Sequence, residues 1–154
     1  MKLLVVGSGG REHAVIRKLK ENKEIEKIYC APGNGGISAD AECVDIKATD
    51  KENMVKFAKE NAIDFCVVTP DDPLALGMVD EMEEAGIPCF GPKANAAIIE
   101  ASKAFSKDLM KKYGIPTADY ETFDNEKKLY ITLKKRIHFQ LSSKQMVLHL
   151  AKVY

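Results

Sequence analysis

Three short clusters hold the residues of this chain best suited to grip a charged small molecule. The first is Gly7-Ser8-Gly9-Gly10-Arg11-Glu12-His13, which closes the apolar run Leu3-Leu4-Val5-Val6 and opens a helical pattern through Ala14, Val15, Ile16 and Leu19. Glycines let the backbone take positive φ and come close to a ligand. The free N–H groups at a helix start, with the macrodipole, favour an anion such as a phosphate. The bland alternative is a βα turn that is glycine-rich only in order to pack tightly. The second cluster, Ala31-Pro32-Gly33-Asn34-Gly35-Gly36, supplies pliable backbone. The third, Thr69-Pro70-Asp71-Asp72-Pro73-Leu74, stops an apolar run with two carboxylates between prolines. Donors, backbone and acidic acceptors together fit a phosphorylated sugar, the carboxylates accepting from ribose hydroxyls. Asp71 and Asp72 equally suit plain turn and helix-start chemistry.

The elements that would position these clusters alternate. Strands are expected over 3–6, 27–30, 43–46, 65–69 and 88–90. Helices are expected over 12–20, 51–60 with Asp50 as its cap, and 74–84 with a stop at Gly86. Strands separated by helices of this length imply right-handed crossovers and a parallel sheet. The fold class is α/β: a Rossmann-like parallel sheet with helices on both faces, whose ligands sit outside the carboxyl ends of the strands. The first turn fails the dinucleotide pattern G-x-G-x-x-G, because Glu12 stands where the third glycine belongs. The second strand also runs into Ala31-Pro32 rather than an acidic residue, so NAD binding of that kind is disfavoured.

Composition agrees with a compact α/β protein. The 154 residues suit one domain or one plus part of another, and 45% are hydrophobic. Lys and Arg balance Asp and Glu at 23 each, which argues against nucleic acid as a partner. No apolar run reaches membrane-spanning length, and Gly7 with Arg11-Glu12 interrupts any signal-peptide pattern. Cys30, Cys43, Cys66 and Cys89 are widely spaced and fall in or beside strand runs, as reduced cysteines of a cytoplasmic protein do. No metal site is expected from them.

Read in order, G-S-G-G-R-E-H-A, A-P-G-N-G-G, T-P-D-D-P-L and F-G-P-K-A-N-A-A-I-I-E-A-S-K-A-F-S-K-D-L-M resemble the N-terminal part of the glycinamide ribonucleotide synthetases, ATP-grasp ligases of purine synthesis. The resemblance covers residues 1 to about 123. It departs in the third cluster, where Thr69 and Asp71 replace a Gly and a Glu of the family pattern. It implies a ligase joining glycine to 5-phosphoribosylamine, with ATP and magnesium, through glycyl phosphate. It further implies that residues 1–92 hold phosphoribosylamine. Gly9, Gly10, Arg11 and Glu12 would contact its phosphate and sugar, Pro32, Gly33 and Asn34 would shape the wall, and Asp71 would meet the ribose. His13 is read as a packed, hydrogen-bonded residue. Residues 93–123 would be linker helices, 94–101 and 103–113, followed by the start of the ATP-grasp domain with a first strand over 117–123. In that segment Lys103 would reach the ATP phosphates, although a solvated lysine reads equally well from the residues alone. The other function class is a non-catalytic sugar-phosphate- or nucleotide-binding module. Small-molecule substrates, no membrane, no nucleic acid and a monomer complete the expectations.

The final stretch, 124–154, changes character: from Lys127 onward it has seven basic residues and no acidic one. The family's glycine-rich ATP loop is not visible there. Reading the last base of each codon with the first two of the next, from His138 on, permits Phe-Pro-Ile-Val-Ile-Lys-Ala-Asp-Gly-Leu-Ala-Leu-Gly-Lys-Gly-Val, a loop of the missing kind. Residues from about 128 are therefore expected to be a frameshifted product, and the chain, lacking most of the ATP-grasp domain, to be inactive alone. Within it, Ile131-Thr132-Leu133 and Ile137-His138-Phe139-Gln140-Leu141 would form stray strands or stay disordered. A genuine basic tail for nucleic acid or membrane is the rival reading.

Overall fold

The computed structural model describes residues 1–135, with side chains to Thr132. Five strands form one parallel sheet in the order β3-β2-β1-β4-β5. They are β1 (Lys2–Gly7), β2 (Lys27–Pro32), β3 (Glu42–Cys43), β4 (Phe65–Val68) and β5 (Cys89–Phe90). The central β1 pairs Val5 with Cys30 on one side and with Val67 on the other. Because side chains alternate along a strand, Leu4 and Val6 face one layer while Leu3 and Val5 face the opposite one. The first layer is closed by Met54 and Ala58 of α2 (Lys51–Glu60), by Met78, Val79 and Met82 of α4 (Met78–Glu84), and by Ala97 of α5 (Ala94–Ala101). The second is closed by Ile16 of α1 (Gly10–Leu19) and by Ile37 of a short 3₁₀ turn. Helices thus cover both faces, which explains the continuous apolar runs Leu3–Val6, Ile28–Ala31 and Cys66–Val68.

Capping follows the sequence closely. Asp50 accepts from the Asn53 N–H at 3.2 Å and starts α2. Ser102 accepts from the Phe105 N–H at 3.3 Å and starts α6 (Lys103–Lys112). The expected helix over 74–84 is instead two, α3 (Asp71–Ala75) and α4, because Gly77 turns to φ +83 between them. The third strand is Glu42–Cys43 rather than 43–46, since pairing with β2 stops at Cys43.

The chain divides into two compact units, Met1–Leu109 and Met110–Tyr154. The first reaches beyond the 92/93 boundary drawn from sequence because α5 is bound into it. Its Ala94 N–H donates to Asp80 Oδ2 at 2.9 Å, and Ala97 is buried. In the second unit, 117–123 forms no strand among the described residues; a strand needs a neighbour to satisfy its backbone. Ile131, Thr132 and Leu133 lie in α7 (Glu126–Lys135), not in a stray strand, the local Glu-Lys-Lys-Leu composition favouring helix. The stray run 137–141, and most of the tail expected over 124–154, lie outside the described residues.

Candidate functional site

Since the strands run parallel, the three clusters emerge at the same edge of the sheet, after β1, β2 and β4. Hydrogen bonds tie them to one another. Gly33 N–H donates to the Gly7 carbonyl at 3.0 Å, and Asn34 Nδ2 donates to the Ser8 carbonyl at 2.6 Å. Those two bonds hold the second loop against the first. Across the other side, Thr69 Oγ1 donates to Glu12 Oε1 at 2.6 Å, joining the third loop to α1. Gly7 has φ +134, and a side chain there would collide with Glu12 and Pro70 Cγ, so glycine is needed where the loops converge.

Glu12 is the one charged residue buried in the described fold, at 3% exposure. One carboxylate oxygen takes the Thr69 hydroxyl; the other accepts from the Gly9 N–H at 2.6 Å. The second contact is half of a capping box, with Gly9 at the N-cap of α1 and Glu12 at N3. The Gly9 amide and both Glu12 oxygens, expected from sequence as ligand contacts, are engaged within the turn itself. A buried carboxylate is stabilised by donors of this kind.

What stays open is narrower. Gly10 and Arg11 are exposed, and their amides have no hydrogen-bond partner among the described residues. A side chain added at Gly10 would meet nothing within 4 Å. Both amides lie in the first turn of α1, where the helix dipole favours negative charge. The exposed Arg11 side chain adds a cation beside them.

The Asn34 side chain braces its own loop and ties it to the first one. Its Oδ1 accepts from the N–H groups of Gly36 at 2.7 Å and Ile37 at 2.9 Å, while its Nδ2 holds Ser8. Pro32 and Gly33 are half-buried. Gly33 has φ +69 and lies so close to Cys43 that a Cβ would overlap its sulfur. Asp71 and Asp72 are exposed in the first turn of α3. Their carboxylates make no hydrogen bond among the described residues, which leaves Asp71 available at the rim. Lys103 is exposed at the first position of α6, and no hydrogen bond or ion pair links it to the three loops.

His13 is a packed residue. Its Nε2 lies 2.8 Å from Asp40 Oδ2, and Lys20 Nζ donates to Asp40 Oδ1 at 2.7 Å. Lys20 and then His13 hold the Asp40 carboxyl down at about 2. The bond from Thr69, the first residue of the third cluster, to Glu12 was not foreseen. The signal was available in Glu12: a glutamate at the third position of a helix opened by glycine suits a capping box, which leaves its second oxygen to find a donor elsewhere.

A parallel sheet in this order, with three pinned loops at its carboxyl edge, defines a Rossmann-like domain of the kind that precedes an ATP-grasp domain. The N domain of phosphoribosylglycinamide synthetase matches residues 1–100, and the ATP-grasp (A) domain of the same synthetase matches residues 101–152. The chain belongs to the phosphoribosylglycinamide synthetase family. A phosphoribosylamine–glycine ligase of Listeria innocua is 54% identical over 134 residues, covering 85% of this chain and 32% of that protein. One from Caldanaerobacter subterraneus is 50% identical over 135 residues, covering 88% of this chain and 32% of its own length. The crystal structure of the Thermotoga maritima phosphoribosylamine–glycine ligase superposes with a TM-score of 0.65 at 28% identity, covering 88% of this chain and 30% of that one. An N5-carboxyaminoimidazole ribonucleotide synthetase from Thermus thermophilus shares the fold, with a TM-score of 0.61 at 17% identity. The chain spans about a third of the length of the curated relatives it matches.

Proposed function

We propose that this chain supplies the 5-phosphoribosylamine-binding part of a ligase that joins glycine to that amine with ATP, giving glycinamide ribonucleotide, ADP and phosphate. The observation that carries the reading is the open pair of amides at Gly10 and Arg11, within the segment that matches the family's N domain. These amides and the Arg11 side chain receive the phosphate. The loop through Pro32, Gly33 and Asn34 bounds the sugar, and Asp71 accepts from a ribose hydroxyl. Glu12 and Thr69 position the donors without touching the ligand. NAD is a poor fit, because Glu12 fills the place of the third glycine and no acidic residue closes β2.

In the family's chemistry ATP with magnesium activates the glycine carboxylate as an acyl phosphate. Among the described residues no group of three or more His, Cys, Asp or Glu side chains stands ready for a metal. Among the described residues Lys103, exposed at the start of α6, is the candidate for a contact to ATP phosphates. Cytoplasmic location and a monomer fit this reading; among the described residues no helix is long and apolar enough to cross a membrane. The same reading takes residues from about 128 as the shifted-frame product of a longer ligase gene. Sequencing the coding DNA tests that point: stops in the neighbouring frame refute it.

Titration calorimetry tests the binding role. Ribose 5-phosphate should bind and NAD should not. Binding of NAD without the sugar phosphate would overturn the assignment. ADP release that depends on both glycine and phosphoribosylamine, assayed on the same protein, separates a ligase from a binding module.

A further inference from the structure

The four cysteines stand opposite one another in pairs across the sheet. Cys30 of β2 is the register partner of Cys43 of β3, and Cys66 of β4 is that of Cys89 of β5. Register partners on neighbouring strands sit about 4.8 Å apart with side chains on the same face. That separation falls inside the roughly 4.4–6.8 Å range over which Cα atoms accommodate a disulfide.

The two pairs differ in access and in what they support. Cys43 is exposed, whereas Cys30 beside it is fully buried. Both thiols of this pair hold the candidate site from below. Cys30 Sγ donates to the Gly7 carbonyl at 3.3 Å, and Cys43 Sγ donates to the Asn34 carbonyl at 3.6 Å. The Cys43 sulfur also fills the hollow under Gly33, where a Cβ would overlap it. In the other pair Cys66 is buried and Cys89 half-buried, and the Cys89 thiol donates to the Ile87 carbonyl, away from the three loops.

We propose that Cys43 and Cys30 form a thiol–disulfide exchange site whose co-substrate is a low-molecular-weight disulfide, and whose oxidation loosens the loop over the sugar-phosphate site. The Cys43 thiolate attacks the small disulfide. An S–S bond forms to Cys43, the original S–S bond breaks, and one thiolate leaves. Cys30 then attacks the Cys43 sulfur, expels the second small thiolate and gives up its own proton to it. The balance is two protein thiols and one disulfide converted to one protein disulfide and two small thiols. The second step is the slower one: burial above all, then the charges of Cys43 and Glu12, push the Cys30 thiol up to about 12, and little of it is thiolate at neutral pH. Once the bond forms, Gly7 and Asn34 lose their sulfur donors and the Cys43 sulfur leaves the hollow under Gly33.

The exchange chemistry is independent of the proposed ligand; its effect on binding rests on that reading. The test uses the reduced protein in excess oxidised glutathione, with samples digested over time without reduction and mapped by mass spectrometry. A glutathione adduct on Cys43 should appear first and convert to a Cys30–Cys43 crosslink. Cys43→Ser should abolish the crosslink, and Cys89→Ser should leave it. An adduct that persists unresolved, or a crosslink confined to Cys66 and Cys89, would overturn the proposal. In the second arm, ribose 5-phosphate is titrated into the reduced and oxidised forms, and oxidation should weaken binding roughly tenfold, about 1.4 kcal/mol. Equal affinities would overturn the effect on binding. Failure of the reduced form to bind counts against the proposed function instead, and the mapping then decides the exchange site alone.

Discussion

Replacing Glu12 tests whether the first turn is held by a buried carboxylate. Glu12→Ala removes two hydrogen bonds to a charged acceptor, the Gly9 N–H and the Thr69 hydroxyl, both at 2.6 Å. Each such bond contributes about 1.5–3 kcal/mol. Gly9 is exposed and its freed N–H turns to water, while Thr69 is half-buried and recovers less. We therefore expect a net loss of about 3 kcal/mol, near the low end of the sum. For a unit of this size that corresponds to a fall in Tm of roughly 12–20 °C. Glu12→Gln keeps the shape: the amide oxygen accepts from Gly9 and the amide nitrogen donates to the Thr69 oxygen. Neutral bonds replace charge-assisted ones, so the loss should be about 1–1.5 kcal/mol. Urea unfolding followed by circular dichroism measures both variants. A Thr69→Val cycle with Glu12→Gln should show coupling of about 1 kcal/mol. An alanine variant within about 0.5 kcal/mol of the parent, the usual range for an inconsequential surface change, would refute the anchoring role. So would a glutamine variant as unstable as alanine.

Gly33→Ala should destabilise by about 2 kcal/mol, since φ is +69 and the new Cβ overlaps the Cys43 sulfur; urea midpoints measure it, and an unchanged midpoint would contradict the packing described. Asp40 gives a pH prediction. Its folded value of about 2 lies below the ordinary 3.8, so its contribution is complete above about pH 4 and fades as pH falls towards 2. Asp40→Asn should flatten the acid limb of a stability–pH profile in that window, and an unchanged limb would discount the Lys20–Asp40–His13 cluster. Arg11→Ala should weaken ribose 5-phosphate binding roughly tenfold with stability nearly unchanged, because the side chain is exposed. Asp71→Asn should weaken it less, by about threefold, a neutral acceptor replacing a charged one; calorimetry reads both.

The sheet was legible because the buried stretches Leu3–Val6, Ile28–Ala31 and Cys66–Val68 are continuously apolar and two of the helices begin at recognisable side-chain caps. Asp50 and Ser102 mark the starts of α2 and α6, and α2 runs over the expected 51–60. Gly77 escaped notice because the apolar stripe through Leu74, Met78, Val79 and Met82 continues across it. Periodicity records which side chains face the core, not whether the backbone between them stays helical. That the three loops meet was legible, since parallel strands deliver their carboxyl ends to one edge. The role of Glu12 was not. A carboxylate beside a phosphate-type turn reads as polar surface until Thr69, distant in sequence, is seen to donate to it. The same holds for Asn34, whose bonds to Ser8, Gly36 and Ile37 depend on how two loops meet. Cysteine spacing also concealed the cross-strand pairing, because register is fixed by the whole sheet.

The seating of α5 governs how this polypeptide can be recombined with its relatives. A splice at Pro92 parts Asp80 from its Ala94 donor and Glu83 from Lys93, which meet at 2.9 and 2.8 Å. It also strips Ala97 from the layer over Met78 and Val79. A hybrid joined there inherits a foreign helix that must fit an unfamiliar socket. Moving the seam past Leu109 lets socket and helix travel as one inherited piece.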